Sequence, residues 1–450
     1  MAKFYTSTIY YCELKKQRGA VLMIMLIIFV IGTVSFLVNA LSRAAVQNER
    51  DQITSQALSQ AKEALIGYAA IYGDNNINAI FGFLPLPDLG NTRNNNSLLT
   101  EGNAAANFTG NSKNLTVIGR LPWRKLGLSP LRDSNSECLW YAVSGSFQNM
   151  QKADVLNWDS LGHFDTYTSN GTSTSTLSAT GTNYSNRPVA IIFSPGPLLQ
   201  GQNRQASTDN VSICGGNYDV RNYLDSYNPD TNINNIVNYF SGPTNHSFGY
   251  AYNLNNSSDG SQLNNADLTA SKNIISGNVD INIGGNQYKI ANDKLLTISA
   301  EEIFRPIMQR IDFKSQIYSL MNNPSFTSHL QSISFNGTKG TDLVLCSNAG
   351  STLDKNFCNN WKEMLLLKQL PMMMYSVTID GALQTGCNKI LIFGGHRTSS
   401  QVRSTINNKS DPANYLEAMN LSAYIGTSGN FVGSSTFDPN NPSTDLLKCL

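Results

Sequence analysis

Charge is what this chain has least of. Only 14% of its 450 residues are Asp, Glu, Lys or Arg, and 32 basic residues stand against 31 acidic ones for a net +1. That balance supplies no basic face able to neutralise a run of phosphates, so nucleic acid is excluded as an expected partner. Histidine is scarcer still. His163, His246, His329 and His396 are scattered, and none stands at ligand spacing from a cysteine. There is no C-x-x-C pair, no G-x-S-x-G, no H-E-x-x-H and no phosphate-cradling glycine loop. The chain therefore reads as a non-enzyme, with no catalytic set, no metal and no cofactor. Two short segments come nearest to an exception. Gly394-Gly395-His396-Arg397 follows a predicted strand and reads as a polar turn at its end. Asp230-Thr231-Asn232-Ile233-Asn234 resembles the start of a calcium loop. However, Asn235 stands where that loop needs Gly and Ser241 where it needs Glu, so it reads as a polar loop. Trp123, Trp140, Trp158 and Trp361 sit beside apolar residues and read as core.

What polarity there is comes from Asn, Ser, Thr and Gly, with Asn alone at roughly one residue in eight. An uncharged polar surface of this kind suits an exported protein. The cysteines point the same way. Cys12 precedes a long apolar run, and six others follow it: Cys138, Cys214, Cys346, Cys358, Cys387 and Cys449. An even number of cysteines in an exported chain reads as a set of disulfides.

The apolar run starts abruptly. Lys15, Lys16 and Arg18 stand just before Gly19, and from Ala20 to Val38 no residue is charged. At about 1.5 Å per residue this stretch matches the roughly 30 Å core of a bilayer. The basic cluster marks the cytoplasmic side, so everything after the run lies outside. Leu41 to Tyr72 lacks proline and is rich in good helix formers, with Gly67 its only glycine. Leu41, Ala45, Ile53, Ala57, Ala61, Ala64, Leu65 and Tyr68 fall near one face. A single helix of about 80 Å is expected, apolar all round at first and amphipathic afterwards. Two plainer readings compete: an uncleaved anchor, or a secretory signal cut after Val38-Asn39-Ala40. For an ordinary signal, the apolar stretch is too long and the basic residues lie too far from the start.

The segment Lys15-Lys16-Gln17-Arg18-Gly19, followed by Ala20-Val21-Leu22-Met23-Ile24-Met25-Leu26 and the long helix, resembles the type IV pilin and pseudopilin superfamily. Ala57 to Ala70 is similar to the stalk helices of that family. Gly119 to Arg124 and Glu137 to Ser144 resemble large pilin-like proteins of proteobacteria. The resemblance implies that a prepilin peptidase cuts after Gly19 and that the new N-terminus at Ala20 is methylated. It also implies partners: that peptidase, other pilin or pseudopilin subunits along the helix, and the inner membrane. One departure matters. Most pilins carry Glu at the fifth place after the cut, where this chain has Ile24. In the family this Glu pairs with the N-terminal amine of a neighbouring subunit, and a buried charge is costly unless it is paired. The tip pseudopilin of type II secretion also lacks the Glu and also carries a bulky head. The expected role is thus a minor, tip-located or initiating subunit of a type IV pilus or type II secretion filament. It would cross the inner membrane once, with its head in the periplasm. The alternative is an anchored extracytoplasmic binding protein or adhesin that never enters a filament.

For the body, the expected fold class is α+β: the long N-terminal helix packed on a β-rich head. The expected divisions are a leader over 1–19, a membrane and stalk helix over 20–72, a first lobe over 73–290 and a second over 291–450. Asn91 to Asn114, Ser169 to Ser185 and Asn228 to Asn286 read as polar loops or edge hairpins. Val189 to Phe193 and Ile390 to Phe393 read as buried strands. Ser299-Ala300-Glu301-Glu302 is a capping box before a helix reaching about Leu320, with Pro306 in its first turns. Four short matches in the same order suggest two related lobes. They are Trp123-Arg124-Lys125-Leu126 with Trp361-Lys362-Glu363-Met364, and Tyr141 to Ser144 with Tyr375 to Thr378. The others are Ile191 to Phe193 with Leu391 to Phe393, and Asn222-Tyr223-Leu224-Asp225 with Asn414-Tyr415-Leu416-Glu417. On that reading the cysteines pair locally: Cys138 with Cys214, Cys346 with Cys358, and Cys387 with Cys449.

Overall fold

The computed structural model describes residues 18–90, 101–106, 115–148, 156–162, 164–168, 187–205, 213–225, 250–253, 272–283, 285–333, 344–371 and 374–450. Cys12, the basic residues Lys15 and Lys16, most of the Asn91 to Asn114 segment, Ser169 to Ser185, the calcium-like stretch from Asp230, and His163 and His246 lie outside the described residues. The chain forms two compact units, Met1–Ile53 and Thr54–Leu450.

In the first unit, helix α1 (Arg18–Ala70) begins and runs without a break. The absence of proline explains its continuity, since every turn keeps its backbone N–H for the carbonyl four residues back. Even Thr33 turns its hydroxyl back onto the Val30 carbonyl, at 2.9 Å. A pair one turn apart, Gln47 Nε2 to Asp51 Oδ1 at 3.0 Å, marks where polar residues take over.

The second unit holds the rest of α1 and the β-rich head. A short α2 (Tyr72–Asn75) follows α1. The strands, in chain order, are β1 (Leu115–Arg120), β2 (Trp140–Val143), β3 (Phe164–Thr168), β4 (Ala190–Ser194) and β5 (Tyr250–Asn253), then β6 (Lys272–Ser276), β7 (Val279–Ile283), β8 (Asn286–Ala291) and β9 (Lys294–Ile298). Helices α3 (Ala300–Met308), α4 (Ile311–Asn322), α5 (Pro324–Ser332) and α6 (Thr352–Trp361) come next. The chain continues through β10 (Leu365–Gln369), β11 (Tyr375–Ile379), β12 (Ala382–Gln384) and β13 (Lys389–Phe393). It ends with α7 (Ile406–Ser410), α8 (Ala418–Ile425), β14 (Gly429–Gly433) and β15 (Leu446–Cys449). An N-terminal apolar helix and a sheet-rich region with helices make the fold α+β.

The largest sheet has the order β5-β1-β2-β4-β9, with every neighbouring pair antiparallel. A second has the order β10-β13-β15, also antiparallel. A third, β12-β11-β14, joins β11 to β14 in parallel. The two apolar runs read as buried strands are β4 and β13, each wholly buried with a strand on either side. A strand covered on both faces needs no alternation, which is why Ala190-Ile191-Ile192-Phe193 and Ile390-Leu391-Ile392-Phe393 are continuous hydrophobic runs. Although β9 follows residue 290, it pairs with β4, so the division expected there passes through a sheet.

The helix expected from Ser299 to about Leu320 is two helices. The capping box is present in full at its start. Pro306 then lies inside α3. It withholds the N–H that the Glu302 carbonyl would have accepted, and α3 ends at Met308. Arg310 leaves the helical region at φ −73° and ψ 139°, and α4 restarts beyond it. The repeat matches are only partly mirrored. Ile191–Phe193 and Leu391–Phe393 both lie in inner strands, β4 as the fourth of five and β13 as the middle of three. Tyr141 does not correspond to Tyr375: Tyr141 lies in β2 beside β4, whereas β13 is flanked by β10 and β15 and Tyr375 starts a strand of another sheet. Trp123 lies in a turn and Trp361 ends a helix.

Candidate membrane helix and the polar clamps of the head

The apolar part of α1 has no cover. From Leu22 onward its side chains face outward, with Leu22 73%, Phe29 71% and Phe36 75% exposed. The mean hydropathy of its best 18-residue window is 2.6, and none of that window is buried. A helix whose backbone is internally satisfied and whose surface is apolar all round is what hydrocarbon accepts and water does not. This one is long and apolar enough to span a membrane. Gly19 and Ala20, the expected processing residues, lie in its first turn, and the expected span Ala20 to Val38 falls wholly within it.

From Thr54 onward the helix belongs to the head. Thr54, Ala57, Leu58, Ala61, Leu65 and Ala69 are buried, spaced three and four apart so that they form one stripe. The expected face is corrected at its N-terminal end, where Leu41, Ala45 and Ile53 are exposed. They belong to the first unit, where residues 41–50 are exposed on every face, so no side of the helix is covered there.

Polar groups fix this seat at three heights. Thr54 Oγ1 accepts the Ser134 N–H at 3.2 Å and meets its hydroxyl at 3.1 Å. Lys62 Nζ donates to the Thr297 carbonyl at 2.8 Å and also pairs with Glu302. Burial pushes the Glu302 carboxyl up, but Lys62 and the Ser299 N–H outweigh it and hold the group below its usual value. At the C-terminal end, Gly82 N–H reaches the Ala69 carbonyl at 2.9 Å and Arg310 reaches that of Ala70 at 3.1 Å. A cation there also suits the negative end of the helix dipole. Arg310 continues to Asp74 at 2.8 Å and Asp312 at 2.7 Å, and lies 4.5 Å from the Phe81 ring centroid.

The cysteines meet as expected. Cys138–Cys214, Cys346–Cys358 and Cys387–Cys449 are joined, with Cα atoms 5.7, 5.4 and 5.3 Å apart. The first ties a segment before β2 to the 213–225 loop; the third ties the turn between β12 and β13 to the end of β15. All four tryptophans are buried. Trp158 packs against Trp361 at 4.5 Å, and His396 lies on it at 5.4 Å while pairing with Glu301 at 2.9 Å. His396 is thus tied into the core edge, and its hydrogen bond holds the Glu301 carboxyl below its usual value. Among the described residues no group of three or more His, Cys, Asp or Glu could hold a metal.

Two arginine clamps were not read from the sequence. Arg204, past the end of β4, donates to the Asn222 carbonyl at 2.8 Å, the Gly196 carbonyl at 2.9 Å and Gln202 at 2.9 Å. Arg403, past the end of β13, donates to the Asn414 carbonyl at 2.5 Å, the Gly395 carbonyl at 3.0 Å and Gln401 at 3.2 Å. Each lies over the tyrosine that follows that asparagine, Arg204 at 5.1 Å from Tyr223 and Arg403 at 4.2 Å from Tyr415. The side chains of Asn222 and Asn414 each accept a backbone N–H, from Asn203 and Val402, at 3.0 Å. The pattern Gln-x-Arg, then Asn-Tyr-Leu and an acid, was available as a signal in both halves. Arg403 also pairs with Asp159 at 3.1 Å, next to a buried Lys409–Glu363 pair at 2.9 Å. These arrangements satisfy buried charge and hold loops; none presents a nucleophile beside a base. No protein-family model matches this chain, and neither a curated protein nor a solved structure does.

Proposed function

We propose that this chain is a minor pilin-like or pseudopilin subunit, placed at the tip or in the initiating complex of a type IV pilus or type II secretion filament. The observation that carries this reading is one continuous helix, bare and apolar over a bilayer's width, whose last turns are the buried spine of a disulfide-closed head. Such a helix can sit in the inner membrane and later pack against like helices. Three joined cysteine pairs favour an oxidising compartment, hence a periplasmic head crossed to by a single pass. Ile24 at the place of the family's Glu, and a head of nearly four hundred residues, favour a low-copy position with no subunit stacked above it. The head itself is read as two related lobes, supported by the matching arginine clamps and by β4 and β13 both being buried inner strands. The work of the protein is then packing and recognition, with no chemistry of its own.

The experiment is processing in cells with and without prepilin peptidase, read by N-terminal sequencing of the membrane-extracted protein. A start at Ala20 that depends on the peptidase is expected. A start at Met1 in both strains overturns the filament reading in favour of a plain anchored binding protein or adhesin. A start at Leu41 overturns it in favour of ordinary secretion.

A further inference from the structure

Asn157, Glu363 and Lys409 come together in the buried interior of the head. Asn157 stands in the 156–162 loop, Glu363 in the single turn Lys362–Met364 that follows α6, and Lys409 in α7. They are 0%, 1% and 4% exposed. Lys409 Nζ donates to Glu363 Oε2 at 2.9 Å, and Asn157 Nδ2 donates to the same oxygen at 3.2 Å. The amine nitrogen and the amide nitrogen are therefore neighbours across one carboxylate oxygen. The amide is fixed at its other points as well. Nδ2 also donates to the Asn360 carbonyl at 2.9 Å, and Oδ1 accepts the Asp159 N–H at 2.8 Å. An amine, a carboxyl group and a carboxamide sealed together in this order are the nucleophile, the proton carrier and the acceptor of an amide exchange.

We propose that Lys409 and Asn157 become joined by an amide bond that the folded chain makes within itself, with Glu363 as the catalytic acid and base and ammonia as the leaving group. This inference goes beyond the filament reading and holds whether or not the chain enters a filament. The reaction is spent once, on the chain itself, and acts on no other molecule.

The steps follow from the contacts. In the ion pair Lys409 is an ammonium, with no lone pair to attack with. Passage of one proton from Nζ to Glu363 Oε2 leaves a neutral amine and a carboxylic acid. Both charges are costly away from water, which favours that exchange. The Nζ lone pair then attacks Asn157 Cγ, and the carbonyl electron pair moves onto Oδ1, where the Asp159 N–H already points. Glu363 gives its proton to Nδ2 and takes one from Nζ. The Cγ–Nδ2 bond breaks, ammonia leaves, and Glu363 ends protonated. Nothing is oxidised or reduced, and no other reactant enters. The approach needs only a swing of the flexible four-carbon lysine stem from Oε2 toward Cγ. An unactivated amide reacts here because folding has already placed and oriented both partners. The product also exchanges a buried ion pair for a neutral amide and a neutral acid.

The test uses the full chain extracted from membranes, reduced, alkylated and digested with trypsin. The wild type should yield one branched peptide carrying Asn157 and Lys409, lighter than its two arms together by about 17 Da, the mass of one ammonia. No cut should occur after Lys409, because its amine is no longer free. Lys409→Met has no amine to attack with and Glu363→Gln has no carboxyl to carry the proton, so both should give the separate, full-mass arms. Separate full-mass arms in the wild type overturn the proposal. A branched peptide formed as completely in Glu363→Gln overturns the role given to Glu363. If either variant fails to fold, the wild-type digest still decides.

Discussion

If the second half of α1 is the spine of the head, trimming its buried stripe must weaken the whole head, while trimming the bare segment must not. Leu65 is the sharpest place to ask, since it is fully buried at 0% exposure. Leu65→Ala removes its isobutyl group but keeps helix propensity, so backbone effects do not blur the result. The loss of transfer energy plus the cavity left behind should cost about 2–5 kcal/mol. That is a large share of the roughly 5–15 kcal/mol by which a folded domain is stable. At a urea slope of about 3 kcal/mol/M, a 3 kcal/mol loss moves the midpoint by about 1 M. Tryptophan emission suits the assay, because the chain has 4 tryptophans and all are buried in the head. Leu37→Ala, at a side chain 56% exposed, is the control and should leave the midpoint in place. Equal shifts for the two variants, or no shift for Leu65→Ala, would refute the view that the stripe belongs to the head core.

Blocking free thiols in the unreduced protein should modify Cys12 at most; labelling of any of the other six by mass spectrometry would break the pairing. Removing Cys138–Cys214 with a double serine variant should cost about 2–4 kcal/mol in a denaturation curve. Gly162→Ala should fold poorly, as its Cβ would come 1.8 Å from the Pro188 carbonyl oxygen; wild-type yield and melting would contradict that close approach. On the acid side, Glu301, Glu302 and Asp312 are all held below their usual values, so their stabilisation is present at neutral pH and fades as the pH drops below about 4. A melting profile that keeps rising toward strong acid would contradict this. In purified filaments, quantitative mass spectrometry should find this chain far below the major subunit; near-equal amounts would rule out a tip position.

The sequence makes some of this fold legible and hides the rest for definite reasons. The apolar helix, the capping box at Ser299 and the strands β4 and β13 depend on local pattern, and the pattern names them. The cysteine pairs follow from grouping the residues by neighbourhood. Most of the corrected places depend on tertiary geometry that no short window contains, although the Pro306 break is local. The buried face of α1 is chosen by what packs on it. The α3–α4 break is set by Pro306 and by Arg310 leaving the helix to reach the Ala70 carbonyl. Tyr141 and Tyr375 look alike as strings, yet they lie in different sheets. The arginine clamps join residues 18 positions apart at Arg204 and 11 apart at Arg403, so only the folded chain brings them together.

The way α1 is seated also decides how it would respond to force. A pull that enters the head at Thr54 along the helix axis runs in line with the stripe from Thr54 to Ala69. Every buried side chain of the stripe is then sheared at once, instead of being peeled away one by one. The hydrogen bonds at Thr54, Lys62 and the Ala69–Ala70 carbonyls take up that shear at both ends and in the middle. A rod held in this way resists extraction up to a sharp limit and then fails abruptly, whereas a sideways pull would open the same contacts in sequence at far lower tension.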